Sequence, residues 1–309
     1  TRIPFYLRIS RRQWIRYAAL WILPIGMITA LSLYRILPEE PALFYVEGMM
    51  SRIQNEATLT LADGTVVSLD SAANGLSLQQ QTAEVMIASS QIKYQQASHK
   101  TQQTEYNTLS TNTDRKYDIV LEDGTHVYLN ASSRLTYPLV FPADKRVVRL
   151  EGEAYFDVRK DEEHPFVVRT RFGEVTVLGT AFNINAYNDA DACYTTLVYG
   201  KVNFSTPDQN TITLAPGEQA VASSRGIEKR VVDVNEYIGW AQGVYVFNNK
   251  RLGDIMKTFE RWYDVHVYYE KESLRDLTYS GDLQRYGTIN TFLNALELTG
   301  DIYYRINGR

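Results

Sequence analysis

The residues best equipped for chemistry in this 309-residue chain are few. Asp161-Glu-Glu-His164, just before Pro165, offers carboxylates and an imidazole, the donor types of a metal site or an acid–base pair. Side chains of adjacent residues seldom converge on one atom, so a solvated turn is the expected structure. His266 alternates with Val265 and Val267, which places it on the solvent face of a strand. The single cysteine, Cys193, leaves no intramolecular disulfide framework and no Cys-rich zinc site, and four histidines leave little for a His-based one. Asn130-Ala-Ser132 and Asn203-Phe-Ser205 match glycosylation sequons, a pattern common by chance. No Gly-x-Ser-x-Gly, His-Glu-x-x-His, phosphate-binding loop or Gly-x-Gly-x-x-Gly occurs. A conventional enzyme is therefore not expected, and neither a cofactor nor a metal.

The bulk composition agrees. Lys and Arg number 32 against 36 Asp and Glu, a net charge of −4, which argues against nucleic acid as a partner. Apolar residues make up 44%, enough for ordinary cores. Tyr17 to Tyr34 carries no charge over 18 residues, and a helix of that length covers about 27 Å, close to a bilayer's hydrocarbon thickness. Arg2, Arg8, Arg11, Arg12 and Arg16 precede it without an acid, whereas Glu39, Glu40 and Glu47 follow. The positive-inside rule then expects a cytoplasmic basic flank at 1–16, a transmembrane helix at 17–37 and everything after it outside. A cytoplasmic portion is expected to precede Thr1.

Beyond the span the period is two. Leu61-Ala-Asp-Gly-Thr-Val-Val-Ser-Leu69 and Leu121-Glu-Asp-Gly-Thr-His-Val-Tyr-Leu129 agree at six of nine positions. Asp63-Gly64 and Asp123-Gly124 are read as turn formers, because a two-residue hairpin turn needs positive φ and Asp-Gly supplies it. Gln79 to Gln103 holds eight glutamines and reads as a connector. The assignment is thus a membrane-proximal β segment and Gln-rich connector at 38–105 and an all-β domain at 106–235. Its short strands suit a sandwich, barrel or solenoid without choosing among them. Near Trp240 the period changes. Leu252, Ile255, Met256 and Phe259, then Ile289, Phe292, Leu293 and Leu296, fall at helical spacing, with Asn249 and Thr288 as expected N-caps and Gly300 as a terminator. Residues 236–309 read as a small α+β domain of two β-α-β units.

Several phrases together carry a resemblance: Leu121-x-Asp-Gly-Thr-x-Val-x-Leu-Asn130, Leu135-Thr-Tyr-Pro138, Leu150-Glu-Gly-Glu-Ala-Tyr-Phe-Asp-Val158, His164-Pro-Phe-Val-Val168, Val177-Leu-Gly-Thr-Ala-Phe-Asn183 and Ala215-Pro-Gly-Glu-Gln-Ala220. In this order they resemble the FecR-type sigma-factor regulators, in a Bacteroidetes-like branch. The resemblance implies a single-pass inner-membrane anti-sigma factor with its C-terminal bulk in the periplasm. It implies as partners the signalling domain of a TonB-dependent outer-membrane transducer, SusC-like or a siderophore receptor, and an extracytoplasmic-function sigma factor bound through the cytoplasmic portion. Periplasmic and intramembrane proteases would end the inhibition. The tail resembles the secretin/TonB short N-terminal (STN) domain. The resemblance also singles out Gly179-Thr180 as a candidate self-cleavage bond, with the Thr180 hydroxyl attacking the Gly179 carbonyl through a five-membered ring and Gly179 permitting a strained backbone. The plainer reading of that pair is a bulge.

Two other classes of function compete. A periplasmic glycan-binding module could use the 22 tyrosines as stacking platforms, although Tyr268, Tyr303 and Tyr304 fall in tail strands, which favours a core or a protein interface. An envelope assembly component would carry further copies of the tail module and a pore-forming β domain, which the sequence lacks.

Overall fold

Alternation of period two governs residues 57–231, and it builds two facing β layers. The computed structural model describes residues 42–48, 57–69, 76–80, 83–88, 91–96, 104–285, 287–300 and 302–307. The expected membrane span at 17–37 and basic flank at 1–16 lie outside the described residues, within which no helix is long and apolar enough to cross a membrane.

One layer takes, in spatial order, Val66–Ser68, Thr58–Thr60, Tyr106–Thr111, Ser133–Pro138, the first half of Arg146–Asp157, Phe166–Thr170, Gly173–Val177, Val202–Ser205 and Thr211–Leu214. The other takes Leu76–Gln79, Ala83–Ala88, Gln91–Gln96, Tyr117–Val120, His126–Leu129, the second half of Arg146–Asp157, Ala181–Ala186, Ala192–Tyr199, Glu218–Ser223 and Gly226–Val231. Apart from Val66–Ser68, which lies outside Thr58–Thr60 at the start of the first layer, the strands follow chain order along each layer, so the chain winds forward between them as in a flattened solenoid. Leu109, Leu135, Val148, Phe166 and Phe204 of the first layer meet Val127, Phe156, Phe182 and Leu197 of the second in one continuous core. Phe156 and Phe182 stack at 5.2 Å.

Strand Arg146–Asp157 belongs to both layers and turns the corner at Gly152. That residue has φ +97, and a Cβ there would lie 2.3 Å from Ser133 Oγ, so both its conformation and the space demand glycine. The expected division at residue 105 does not separate packed units, because Leu59 pairs with Leu109 and Ile92 with Ile119. The stretch from 57 onward is part of the sandwich, since its inward residues Leu59, Val85, Ile87 and Ile92 fill the same core.

The tail forms its α+β module around helices Leu252–Tyr263 and Ile289–Leu298. Their apolar stripes, Leu252, Ile255, Met256 and Phe259 on one and Phe292, Leu293 and Leu296 on the other, pack together, with Phe259 and Phe292 edge to face at 4.7 Å. Thr288 occupies the N-cap position, and Gly300, at φ +78, ends the second helix. Asn249 is not a cap. It sits at φ +47 in the bulge of strand Val244–Arg251 and its N–H donates to Ser280 Oγ, while Arg251 takes the N-cap position.

The module's strands do not form one four-stranded sheet. Val244–Arg251 pairs with Thr278–Gln284, whereas Val265–Tyr269 and Ile302–Asn307 flank a strand from far upstream, Ala42–Gly48. That strand contributes Phe44 and Val46, both fully buried, to the module's core. Residues 42–48, expected in the membrane-proximal β segment, therefore belong structurally to the C-terminal module.

Candidate functional site

The residues singled out by sequence play unequal parts. Asp63 and Asp123 both form turns, with Gly64 and Gly124 at φ +86 and +85. Asp63 does little more than accept the Thr65 N–H. Asp123 accepts from Thr125 N and Oγ1 and pairs with the buried Arg146 guanidinium at 2.7 Å, so the second copy anchors the sandwich as well as turning it. Asp161 accepts the backbone N–H groups of Glu163 and His164 and faces the His164 ring at 2.8 Å, a solvated turn whose bond to His164 holds the Asp161 carboxyl below its usual range. Among the described residues no group of His, Cys, Asp or Glu could hold a metal ion. His266 faces solvent as expected.

Gly179 and Thr180 lie between strands Gly173–Val177 and Ala181–Ala186, next to a register shift at Ala181/Phe182. Thr180 is buried and its Oγ1 donates to the Lys201 carbonyl at 3.0 Å. Gly179 is not at positive φ; glycine is required because a Cβ would meet Lys160 Cα at 2.6 Å. Gly200, at φ +94, packs against the same bond, its own Cβ position 2.8 Å from Thr180 Oγ1 and 3.0 Å from the Gly179 carbonyl oxygen.

The densest polar constellation is one that no motif marks, and it lies where the C-terminal module covers the outer face of the second layer. Glu153 is buried there. Its carboxylate accepts from Asn130 Nδ2 at 2.7 Å and Asn183 Nδ2 at 3.0 Å. Each amide passes the connection into the module: Asn130 Oδ1 accepts from Arg285 Nη1 at 2.8 Å, and Asn183 Oδ1 accepts from Trp240 Nε1 at 3.1 Å. Arg285 lies over the Trp262 ring at 4.6 Å. Beside it Arg261 lies over Tyr187 at 3.9 Å and bonds both oxygens of Asp189 at 2.8 and 2.7 Å. Tyr187 donates to the Ala131 carbonyl at 2.8 Å, which seats the ring beneath Arg261. Asp114 N–H donates to the Arg261 carbonyl and Thr113 Oγ1 to Asp264. Apolar contact completes the joint, with Tyr128, Tyr155 and Ala131 of the sandwich packed on the module's core. Buried hydrogen bonds with fixed donors on both sides make this a rigid coupling between two units.

The sequon at Asn130 is thus spent on structure, since its amide is buried and bonded to Glu153, Ala131 and Arg285. Asn203 is exposed and bonds Thr213.

Comparison with known proteins fits this two-unit arrangement. The FecR protein family matches residues 107–203, and the FecR C-terminal domain matches residues 244–309. The structure of a candidate anti-sigma factor from Parabacteroides distasonis ATCC 8503, solved at 1.65 Å, superposes with a TM-score of 0.58 at 32% identity, covering 64% of this chain and 93% of that one. The chain belongs to the FecR family. A second structure of a candidate anti-sigma factor from the same organism, at 2.50 Å, gives the same TM-score and identity over 65% of this chain and 94% of that one. No curated relative matches. Together the FecR family and these neighbours support a sigma-factor regulator. Neither FecR match reaches residues 42–48 or 57–96, yet the first strand completes the C-terminal module and the others extend the FecR sandwich.

Burial raises the Glu153 carboxyl above its ordinary value near 4.5, against the lowering effect of the asparagine amides. The folded state therefore holds this proton more tightly than the unfolded chain. Its contribution to stability is fully present below about pH 4.5 and is lost as pH rises through the folded-state value. The stability of wild type relative to Glu153→Gln, measured by denaturant unfolding at several pH values, should accordingly rise as pH falls from 7 toward 4.5. A difference independent of pH would contradict the assignment.

Proposed function

We propose that the chain is a single-pass inner-membrane anti-sigma factor whose periplasmic part receives a signal from a TonB-dependent outer-membrane transducer. The signal passes to an extracytoplasmic-function sigma factor held through a cytoplasmic portion. The observation that carries this reading is the outer face of the module's three-stranded sheet. Leu43 and Tyr45 of the central strand stand beside Tyr268 and Tyr303, which are 54% and 45% exposed. Arg305, His266 and Glu47 surround them on the same face. Aromatic residues ringed by charge are what a protein-docking surface presents. The module resembles the STN domain in role, since it offers a small sheet to a partner carrying a similar module.

The joint supports the relay. A partner docked on the module acts on a body that Arg285, Trp240 and Arg261 fix to the sandwich, so displacement of one unit loads the other. The three tail tyrosines are divided between surface and core. Tyr304 packs on Phe44 and bonds Asn294, while Tyr268 and Tyr303 remain available. Regulated proteolysis by periplasmic and intramembrane enzymes then frees the sigma factor.

The test is a pull-down of the chain in membranes against signalling domains of transducers encoded beside it, with Tyr268→Ala/Tyr303→Ala as the variant. Binding weakened about tenfold or more in the variant is expected, because two partly exposed aromatics at the centre of an interface carry about 1–2 kcal/mol each. Binding that is equal in variant and wild type would move the partner elsewhere, and glycan binding without transducer binding would favour a carbohydrate sensor.

Self-cleavage at Gly179-Thr180 belongs to the same reading. The Thr180 hydroxyl would leave the Lys201 carbonyl and attack the Gly179 carbonyl, the peptide nitrogen would become a free amine, and water would hydrolyse the resulting ester. Wild type should then purify as two associated fragments and Thr180→Ala as one chain. A single intact wild-type band would contradict the step.

A further inference from the structure

Strand Ala42–Gly48 is the sole ladder partner, among the described residues, of both Val265–Tyr269 and Ile302–Asn307. Five residue pairs join it to the first, antiparallel, from Phe44↔Tyr269 to Gly48↔Val265. Six join it to the second, parallel, from Ala42↔Ile302 to Glu47↔Asn307. The two outer strands do not pair with each other, so the three-stranded sheet exists only while the central strand is in place. Phe44 and Val46 point into the module's core, with Phe44 between the rings of Tyr269 at 6.2 Å and Tyr304 at 6.3 Å. Glu270 N–H donates to the Leu43 carbonyl, closing the membrane-side end of the ladder.

The strand's position in sequence matters as much as its pairing. From Leu37, the expected end of the span, to Ala42 is five residue steps, which reach at most about 18 Å when fully extended. On the membrane reading, the module's sheet is therefore held close to the bilayer surface by its own central strand, although the module lies at the far end of the sequence. Any force between membrane and periplasmic body must pass through this strand, because it is where the tethered end enters the fold. Its other exit leads into the sandwich, which the joint at Glu153 holds to the same module.

We propose that Ala42–Gly48 is a withdrawable clasp: its departure opens the C-terminal sheet, and that opening, rather than a change within the sandwich, is the event that makes the chain susceptible to proteolysis. The signalling consequence rests on the function proposed above; the clasp itself does not. Departure would leave the two outer strands as open edges and empty the site of Phe44 and Val46, so the closed form is favoured without a partner. A partner bound on the outer face touches the clasp directly, since Tyr45 lies between Tyr268 and Arg305 on that face.

Glu47 and His266 are directly opposed on the same adjacent antiparallel strands, with side chains on the outer face beside the tyrosines, so Glu47→Cys/His266→Cys can lock the clasp without touching the core or the docking aromatics. The native Cys193 is buried and does not compete. The full chain in membrane vesicles is treated with chymotrypsin, and cleavage after Phe44 is timed by mass spectrometry with the pair reduced or oxidised. The clasp predicts at least tenfold slower cleavage in the oxidised form, and several-fold faster cleavage in Val46→Ala than in wild type. Equal rates in oxidised and reduced forms, or no disulfide under oxidant, would overturn it. In cells, a reporter of the cognate sigma factor should respond to inducer with the reduced pair and not with the oxidised one. A response in both forms, with the disulfide verified, would overturn the clasp as the signalling step. A wild type that never alters the reporter would instead remove the function proposed above and leave the cleavage result standing.

Discussion

The placement of the C-terminal module on the sandwich depends on one buried carboxylate. Glu153 leaves strand Arg146–Asp157 on the face away from the sandwich core, where alternation alone would give it to water. The C-terminal module covers it, and two asparagine amides offset part of the cost of that burial. Those amides are polarised in turn by Arg285 and Trp240, so the satisfaction of one unit's buried charge is conditional on the other unit's presence. Loss of a single member would leave a buried acceptor or donor unpaired, at a cost of roughly 1–3 kcal/mol, more for the charged group. Such a network is a poor adhesive and a good register mark: it fixes how the units sit.

The rest of the joint follows from that placement. Arg261 reaches back to Asp189 and lies on Tyr187, and Tyr187 is itself tied to the Ala131 carbonyl between Asn130 and Ser132. The long strand that carries Glu153 can do so because Gly152 turns the corner between layers immediately before it, bringing the outer face of its second half under the module. Gly152, Glu153, Asn130 and Asn183 fall within phrases by which the FecR resemblance is recognised. The family's sequence signature thus coincides with the coupling between its two domains.

How much of this was legible in the sequence depended on the range of the interaction. Period-two alternation and Asp-Gly turns are local, and the all-β reading of 106–235 stands in the short strands from Tyr106–Thr111 to Gly226–Val231. Both tail helices follow their apolar stripes. The joint was invisible because Glu153, Asn130, Asn183 and Arg285 come from four segments and look like surface residues until the other unit covers them. The central strand of the tail was invisible for a related reason. Ala-Leu-Phe-Tyr-Val has the pattern of any half-buried strand, and nothing local says that its partners lie more than two hundred residues away. Asn249 misled because a residue before an apolar stripe reads as a cap, whereas its backbone turns at a bulge. The Gly-Thr pair was found through resemblance, and its surroundings show a glycine required by the approach of Lys160.

The central claim is that the sandwich and the module form one mechanically continuous body through this carboxylate network. Hydrogen–deuterium exchange of the whole chain and of Asn183→Ala tests it most directly, since Asn183 is a sandwich residue that bonds both Glu153 and Trp240. The account predicts that the variant loses protection in His126–Leu129 of the sandwich and equally in Val265–Tyr269 of the module, two segments that share no strand pairing. Loss confined to the sandwich strands, with the module exchanging as in wild type, would contradict it.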